Sequence, residues 1–95
     1  MFVKKNKNRK PVSLNEAVGR FVRESRSAKS LTGAEFGKLI HVSQQQISRY
    51  ENGICGLNIE TLENILIALD IEWQEFYRKV LHIDIGIHVI ESNNK

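Results

Sequence analysis

The chain has 95 residues, of which 41% are hydrophobic and 26% charged, the proportions of a soluble globular domain. This length predicts one domain. The composition excludes collagen, a long disordered tail and, because Cys55 is the single cysteine, a disulfide scaffold. The N-terminus has no apolar signal core, and no apolar run reaches the roughly eighteen residues of a membrane span. We therefore expect a cytoplasmic protein without a membrane partner.

The net charge of +3 hides opposite charges in the two halves of the chain. Residues 1–50 contain eleven Lys and Arg against three Asp and Glu, whereas residues 51–95 contain three against eight. Residues 1–12 form a predicted basic arm, which contains Lys4, Lys5, Lys7, Arg9 and Lys10. A basic arm on a basic half favours a polyanionic partner, above all nucleic acid. The alternative is a solvated leader that only aids solubility.

Capping motifs predict where the helices begin. Residues 13–16 and 32–35 each start with a hydroxyl side chain and end with Glu, and 43–46 starts with Ser and ends with Gln. In such a capping box, each of the two side chains accepts a hydrogen bond from the backbone N–H of the other residue. Apolar residues at helical spacing follow, and we expect them, Leu39 and Ile59 included, to face a core. The predicted helices span about 14–28, 32–40, 43–52, 58–69 and 73–80.

After residue 80 the apolar period changes from that of a helix to that of a strand. Leu81, Ile83, Ile85, Ile87 and Val89 occupy alternate positions, which predicts a β-strand over 81–90 and a polar tail to residue 95. A single strand after five helices would leave its backbone edges unpaired. We therefore expect it to pair with the same strand of a second chain in a homodimer. The alternatives are a strand that lies on its own helices, or a sixth helix.

The second and third predicted helices, with their short turn, form a helix-turn-helix pattern. The segment 26–53, above all its Val-Ser-Gln-x2-Ile-Ser-Arg-Tyr-Glu-Asn-Gly run at 42–53, resembles the Xre, or Cro/C1-type, helix-turn-helix family of the lambdoid phage repressors. The three consecutive glutamines also look like those of small regulators encoded with fimbrial operons. The resemblance covers residues 14–80 and implies an all-α fold. We expect a five-helix lambda-repressor-like domain over 13–80, followed by the C-terminal strand in 81–95.

The resemblance implies that the third helix enters the major groove of DNA and presents its first residues to base edges. Gln44 and Gln45 occupy those positions, and Arg49 lies one turn further along, on the face of Gln45. Glutamine can form two hydrogen bonds with adenine, and arginine two with guanine. These three side chains are the expected base readers. The alternative for the glutamines is a polar surface that only aids solubility.

Backbone phosphates are the expected partners of a second group of residues. They are Ser43, Gln46, Ser48, Thr32 and Asn52 in the helical domain, and Lys4, Lys5, Lys7, Arg9 and Lys10 in the arm. Gln46 and Ser48 could equally be exposed without a partner, and the same alternative holds for Arg20 and Arg23. The family pattern also implies a structural ion pair between Arg26 and Glu51, which would tie the first helix to the end of the third.

Three residues depart from the family pattern. Gly33 stands where the family usually has a phosphate-binding glutamine, so that contact must be absent or supplied by backbone N–H groups at the helix N-terminus. Gly37 replaces the usual alanine and permits close approach of the two helices. His41 replaces the turn glycine, and histidine tolerates the left-handed conformation that such a turn requires.

No motif predicts an enzyme. The histidines lack the spacing of metal ligands, and no nucleophile elbow or phosphate-binding loop occurs, so we expect neither metal nor cofactor. Cys55 is expected to be a half-buried loop thiol, with a redox switch as the alternative. Trp73 and the aromatic residues after it are expected in the core or on a dimer face, with a ligand pocket as the alternative.

The sequence therefore predicts a homodimeric, sequence-specific transcriptional regulator that binds double-stranded DNA at an inverted repeat. The alternative is an antitoxin-type protein that binds and masks a partner protein and regulates its own operon. An architectural DNA-binding protein is a third interpretation, disfavoured because glutamine side chains offer directional readout of bases.

Overall fold

The computed structural model describes residues 13–82, and this part of the chain is all-helical. The helices are α1 (Leu14–Ala28), α2 (Gly33–Ile40), α3 (Gln44–Glu51), α4 (Ile59–Ala68) and α5 (Trp73–Phe76), and α5 continues into a π-helical turn at Tyr77–Leu81. The all-α, five-helix prediction is confirmed for these residues. No helix among them is both long and apolar enough to span a bilayer.

Side-chain caps determine where the first two helices begin. The Ser13 hydroxyl accepts a hydrogen bond from the Glu16 N–H at 3.1 Å, and the Glu16 carboxylate accepts one from the Ser13 N–H at 3.1 Å. Thr32 and Glu35 form the same reciprocal pair at 3.0 and 2.9 Å. Both predicted capping boxes are thus confirmed, and each satisfies N–H groups that have no acceptor within the helix.

The third and fourth helices have simpler caps. Ser43 Oγ accepts from the Gln46 N–H at 3.1 Å, and Asn58 Oδ1 accepts from the Thr61 N–H at 2.7 Å. The reciprocal half of the predicted box at 43–46 is absent, because the Gln46 side chain donates to Cys55 Sγ at 3.3 Å instead. The prediction of a full box there is wrong, since a side chain outside the motif competes for the amide.

One apolar core joins the helices. Phe21 of α1 meets Phe76 of α5 edge-to-face, with ring centroids 5.5 Å apart, a favourable arrangement of aromatic rings. The buried side chains are Phe21, Val22, Phe36, Ile40, Ile47, Leu62, Ile65, Leu66, Leu69, Phe76 and Val80. Leu39 and Ile59, which were expected in the core, are 55% and 71% exposed. Ile59 is the first residue of α4, and Leu39 lines a shallow cleft with Ile67 instead of the core.

The chain is still helical at the point where the sequence predicts a strand. Leu81 lies in the π-helical turn, so the prediction that the strand begins there is wrong for this residue. The helix continues because half-buried Leu81 packs against the core cluster. Outside the described residues lie the other predicted strand positions, Ile83, Ile85, Ile87 and Val89, and the basic arm with Lys4, Lys5, Lys7, Arg9 and Lys10.

Candidate nucleic-acid interface

A tight turn joins α2 to α3. His41 ends α2 in the left-handed conformation, at φ 61° and ψ 45°, and the Val42 N–H donates to the Gly37 carbonyl at 2.8 Å. A Cβ on Gly37 would collide with the Val42 carbonyl oxygen. The left-handed histidine and the close approach at Gly37 agree with the sequence predictions, although the group that approaches Gly37 is the backbone of the turn.

The outer face of α3 carries the predicted base readers. Gln44, Gln45 and Arg49 are exposed, and none of the three side chains has a hydrogen-bond or ion-pair partner among residues 13–82. Ile47, on the opposite face, is only 1% exposed and fixes the helix to the core. The helix thus packs firmly against the core through Ile47, while the donors and acceptors on its outer face remain available to an external partner.

Two predicted phosphate contacts at the end of α3 bind each other. Asn52 Nδ2 donates to the Ser48 carbonyl at 2.9 Å and to Ser48 Oγ at 3.3 Å. The same Ser48 carbonyl also accepts the backbone N–H of Asn52 at 3.0 Å, so the side chain of Asn52 adds a second donor at the last turn of the helix. Both residues are exposed, so the Ser48 hydroxyl keeps a proton that it can donate outwards.

Gln46 faces a different direction from its two neighbours. It is half-buried, and its Nε2 donates to Cys55 Sγ in the loop that follows α3. The hydrogen bond therefore ties the start of α3 to that loop. Cys55 is half-buried, as the sequence predicted.

The starts of α2 and α3 lie side by side. A Cβ on Gly33 would lie 3.7 Å from Gln44 Cγ and 4.0 Å from Ile47 Cγ2, which is ordinary van der Waals contact. Thr32, the cap of α2, is exposed next to Gly33. The N–H groups of Gly33 and Ala34 belong to the first helical turn and have no acceptor within the helix. Backbone donors of α2 therefore lie beside the first glutamine of α3.

An ion pair ties α1 to the end of α3. Arg26 Nε and Nη2 donate to the two carboxylate oxygens of Glu51 at 2.6 and 2.9 Å, and Arg26 Nη1 donates to the Leu31 carbonyl at 2.8 Å. The two side chains are 16% and 8% exposed. The hydrogen bonds to Glu51 raise the pKa of Arg26, burial opposes the rise, and the charge of Glu51 adds to it.

Two arginines whose role the sequence left open lie near the end of α3. Arg20 and Arg23 line a small cleft together with Asn52, and Glu16 and Glu51 also line it. Both arginines are exposed. The structure thus brings two further cations to the C-terminal end of α3, where the sequence predicted the phosphate contact of Asn52.

Sequence reasoning missed Gly19 as a determinant of this geometry. Gly19 is buried in α1, and a Cβ there would lie 2.7 Å from the Glu51 carbonyl oxygen. The signal was available, because a glycine within an otherwise amphipathic helix often marks close approach of another backbone.

Comparisons with known proteins agree with this architecture. A family model described as helix-turn-helix matches residues 22–76. An uncharacterised HTH-type transcriptional regulator of Sinorhizobium fredii, y4wC, is 30% identical over 74 residues, which cover 78% of this chain and 52% of that protein. The chain therefore spans about half the length of this curated relative.

A solved structure has the same fold. The crystal structure of the clp gene regulator ClgR from Corynebacterium glutamicum superposes with a TM-score of 0.69 at 26% sequence identity, covering 77% of this chain and 94% of that one. A second crystal structure of ClgR gives a TM-score of 0.65 at 26% identity, over 90% of this chain and 86% of that one. Since the family model matches more than half of the sequence, the chain belongs to the Cro/C1-type helix-turn-helix family.

Proposed function

We propose that the protein is a sequence-specific DNA-binding transcriptional regulator that binds an inverted-repeat operator as a homodimer. The observation that carries the proposal is the outer face of α3, where Gln44, Gln45 and Arg49 are exposed and unpartnered on a helix anchored by Ile47. An α-helix fits the major groove, and amide and guanidinium groups are the side chains that read adenine and guanine there. Membership of the helix-turn-helix family and the likeness to a gene regulator support the same function.

Phosphate contacts at both ends of α3 would hold this face in register with the bases. At the start of α3 we propose the hydroxyls of Ser43 and Thr32 and the free N–H groups of Gly33 and Ala34. The free N–H groups and the helix dipole at the start of α2 favour an anion there. At the end of α3 the donors would be Ser48 and Asn52, with Arg20 and Arg23 beside them.

The basic arm would add contacts that do not depend on sequence. Its five cations lie within residues 4–10, and two residues separate them from the capping box of α1, which begins at Ser13. Each phosphate that they neutralise steepens the dependence of the logarithm of affinity on the logarithm of salt concentration by about 0.9. Pairing of the C-terminal strands would supply the two-fold axis, and a dimer of this kind places its two half-sites about one helical turn apart.

The test is selection from a pool of random DNA duplexes at low and at physiological salt. We expect the unaltered chain to select an inverted repeat, and Gln44→Ala/Gln45→Ala to lose that preference. Gln74→Ala is the matched control, because Gln74 is an exposed glutamine on α5 rather than α3. A pool that never converges, with binding that disappears as salt rises, would overturn the proposal and leave a protein-masking function as the better hypothesis.

A further inference from the structure

An apolar groove of about 280 Å³ lies on the domain between the start of α1, the loop after α3 and the C-terminal helix. Its lining includes Leu14, Val18, Leu57, Trp73, Tyr77 and Leu81. Leu14 and Ile59 on its border are 59% and 71% exposed. Burial of this apolar surface by a partner would remove it from water, which is energetically favourable.

The chain leaves the described helices at this groove. Leu81 lines it, and the next residue, His82, adopts the left-handed conformation at φ 58° and ψ 37°. A left-handed residue at this position ends a helix and turns the chain away from the helix axis. The His82 N–H donates to the Tyr77 carbonyl and closes the last turn. The described part of the chain thus ends beside the groove, and thirteen residues of the sequence follow His82.

The sequence of that segment suits an apolar groove. Ile83, Ile85, Ile87 and Val89 alternate with Asp84, Gly86, His88 and Ile90. In an extended chain, alternate side chains point to opposite faces. The odd-numbered residues would therefore form one continuous apolar face. Backbone pairing with another strand would not bury this face, so it would still require an apolar surface to pack against.

We propose that the odd-numbered face of the segment 83–89 packs into the groove of its own chain. Only His82 separates Leu81 from Ile83, so covalent attachment gives the segment a high effective concentration at its own groove. The segment of a second copy would have to reach a comparable concentration in solution to compete for the same groove. The backbone edge of the segment then remains available for the second copy. This last step rests on the proposed homodimer, whereas the occupancy of the groove does not.

The groove contains its own probes. Trp73 and Cys55 both line it, and each is the single residue of its type in the chain. The first measurements are acrylamide quenching of Trp73 fluorescence and the rate at which a thiol reagent labels Cys55. The variant is full-length Ile83→Ser/Ile85→Ser, and the matched control is Ile90→Ser, which changes the opposite face.

We expect the thiol reagent to label Cys55 roughly tenfold faster or more in the double variant. The two serines remove most of the free energy that burial of Ile83 and Ile85 would contribute, so the segment would leave the groove. Quenching of Trp73 should rise in parallel, while Ile90→Ser should behave like the unaltered chain. Equal labelling in the double variant and the control would overturn the proposal. Protection that weakens on dilution would also overturn it, because it would show that a second copy fills the groove.

A second measurement does not depend on any variant folding. In the unaltered chain, nuclear Overhauser effects should connect the methyl groups of Ile83 or Ile85 to the Trp73 indole. Isotope-filtered spectra of mixed labelled and unlabelled chains should assign these contacts to one chain; their absence, or contacts only between chains, would refute the proposal. None of these measurements uses DNA, so a failure of the DNA-binding proposal would be seen separately in the duplex selection.

Discussion

Gly19 of α1 lies against the carbonyl oxygen of Glu51 at the end of α3, so closely that a Cβ at position 19 would be 2.7 Å from that oxygen. Arg26 lies seven residues further along α1, on the same face, and binds the carboxylate of the same Glu51. Glu51 thus contacts α1 in two places, through its backbone at Gly19 and through its side chain at Arg26. The two contacts fix how α3 projects from the domain.

Replacement of Gly19 by alanine should destabilise the fold. The added methyl group must displace the backbone of α3, and such overpacking costs about 1–3 kcal/mol, which outweighs the gain in helix propensity of roughly 1 kcal/mol. Urea unfolding followed by circular dichroism measures the difference. Gly33→Ala is the control, since its Cβ makes only ordinary contacts and should stabilise the domain. A Gly19→Ala protein as stable as Gly33→Ala would contradict the proposed close approach.

Arg26→Gln should lower the free energy of unfolding by roughly 3 kcal/mol, because it leaves the carboxylate of Glu51 largely buried without its cation. The pKa of Arg26 is raised by the hydrogen bonds to Glu51. A base with a raised pKa keeps its full stabilising effect below its unfolded pKa and loses it only as pH rises through the folded value. The loss caused by Arg26→Gln should therefore be the same at about pH 7 and about pH 10.

The control for this ion pair is the double variant Arg26→Met/Glu51→Met. It removes both charges together, so it should retain more stability than either single substitution. Additive losses in the double-variant cycle would mean that the two side chains do not act as a pair.

Gly33→Gln should strengthen DNA binding. The position lies beside Gln44 and accepts a Cβ at ordinary contact distances, and a glutamine amide there could donate to a phosphate. One added hydrogen bond contributes about 0.5–1.5 kcal/mol. Gly33→Ala separates this effect from helix propensity, because both variants gain propensity and only the glutamine adds a donor. Equal affinities of the two variants on the selected duplex would refute the predicted phosphate contact.

Gln46→Ala should weaken DNA binding less than Gln45→Ala. Gln45 is exposed and unpartnered, and the loss of a base contact costs about 1–3 kcal/mol. Gln46 is half-buried and bound to Cys55 Sγ, so its loss should affect the loop after α3 instead. Fluorescence anisotropy with the selected duplex compares the two affinities. An equal or larger loss for Gln46→Ala would show that this amide leaves Cys55 in the complex.

The helix starts could be predicted because their signals are local. Ser13, Thr32, Ser43 and Asn58 each cap a helix through an N–H group only three residues away. The exposure of Ile59 could not be predicted in this way, because it depends on which helices pack around the residue. The helical state of Leu81 was missed for the same reason, since contacts with the core outweigh the period-two pattern at its first residue.

The site was predictable to a similar extent. The resemblance to a known family implied the pairing of Arg26 with Glu51, and the structure contains that contact. The direction of the Gln46 side chain depends on Cys55, nine residues further along in an irregular loop. No local sequence pattern predicts where that loop places Cys55. Gln44, Gln45 and Arg49 stay predictions as base readers, although the structure leaves them free to act as such.

Four helix ends are followed by a left-handed residue that carries a side chain: Ser30, His41, Asp70 and His82, with φ between 58° and 61°. Only the end of α3, among the described helices, is followed by glycine in this conformation, at Gly53. Each side chain in such a position costs about 1–2 kcal/mol. Ser30 and Asp70 are exposed, so glycine at these two positions should raise the melting temperature without altering the core or α3. Substitutions at these helix ends could therefore add stability that offsets destabilising changes elsewhere in the domain, including changes on the outer face of α3.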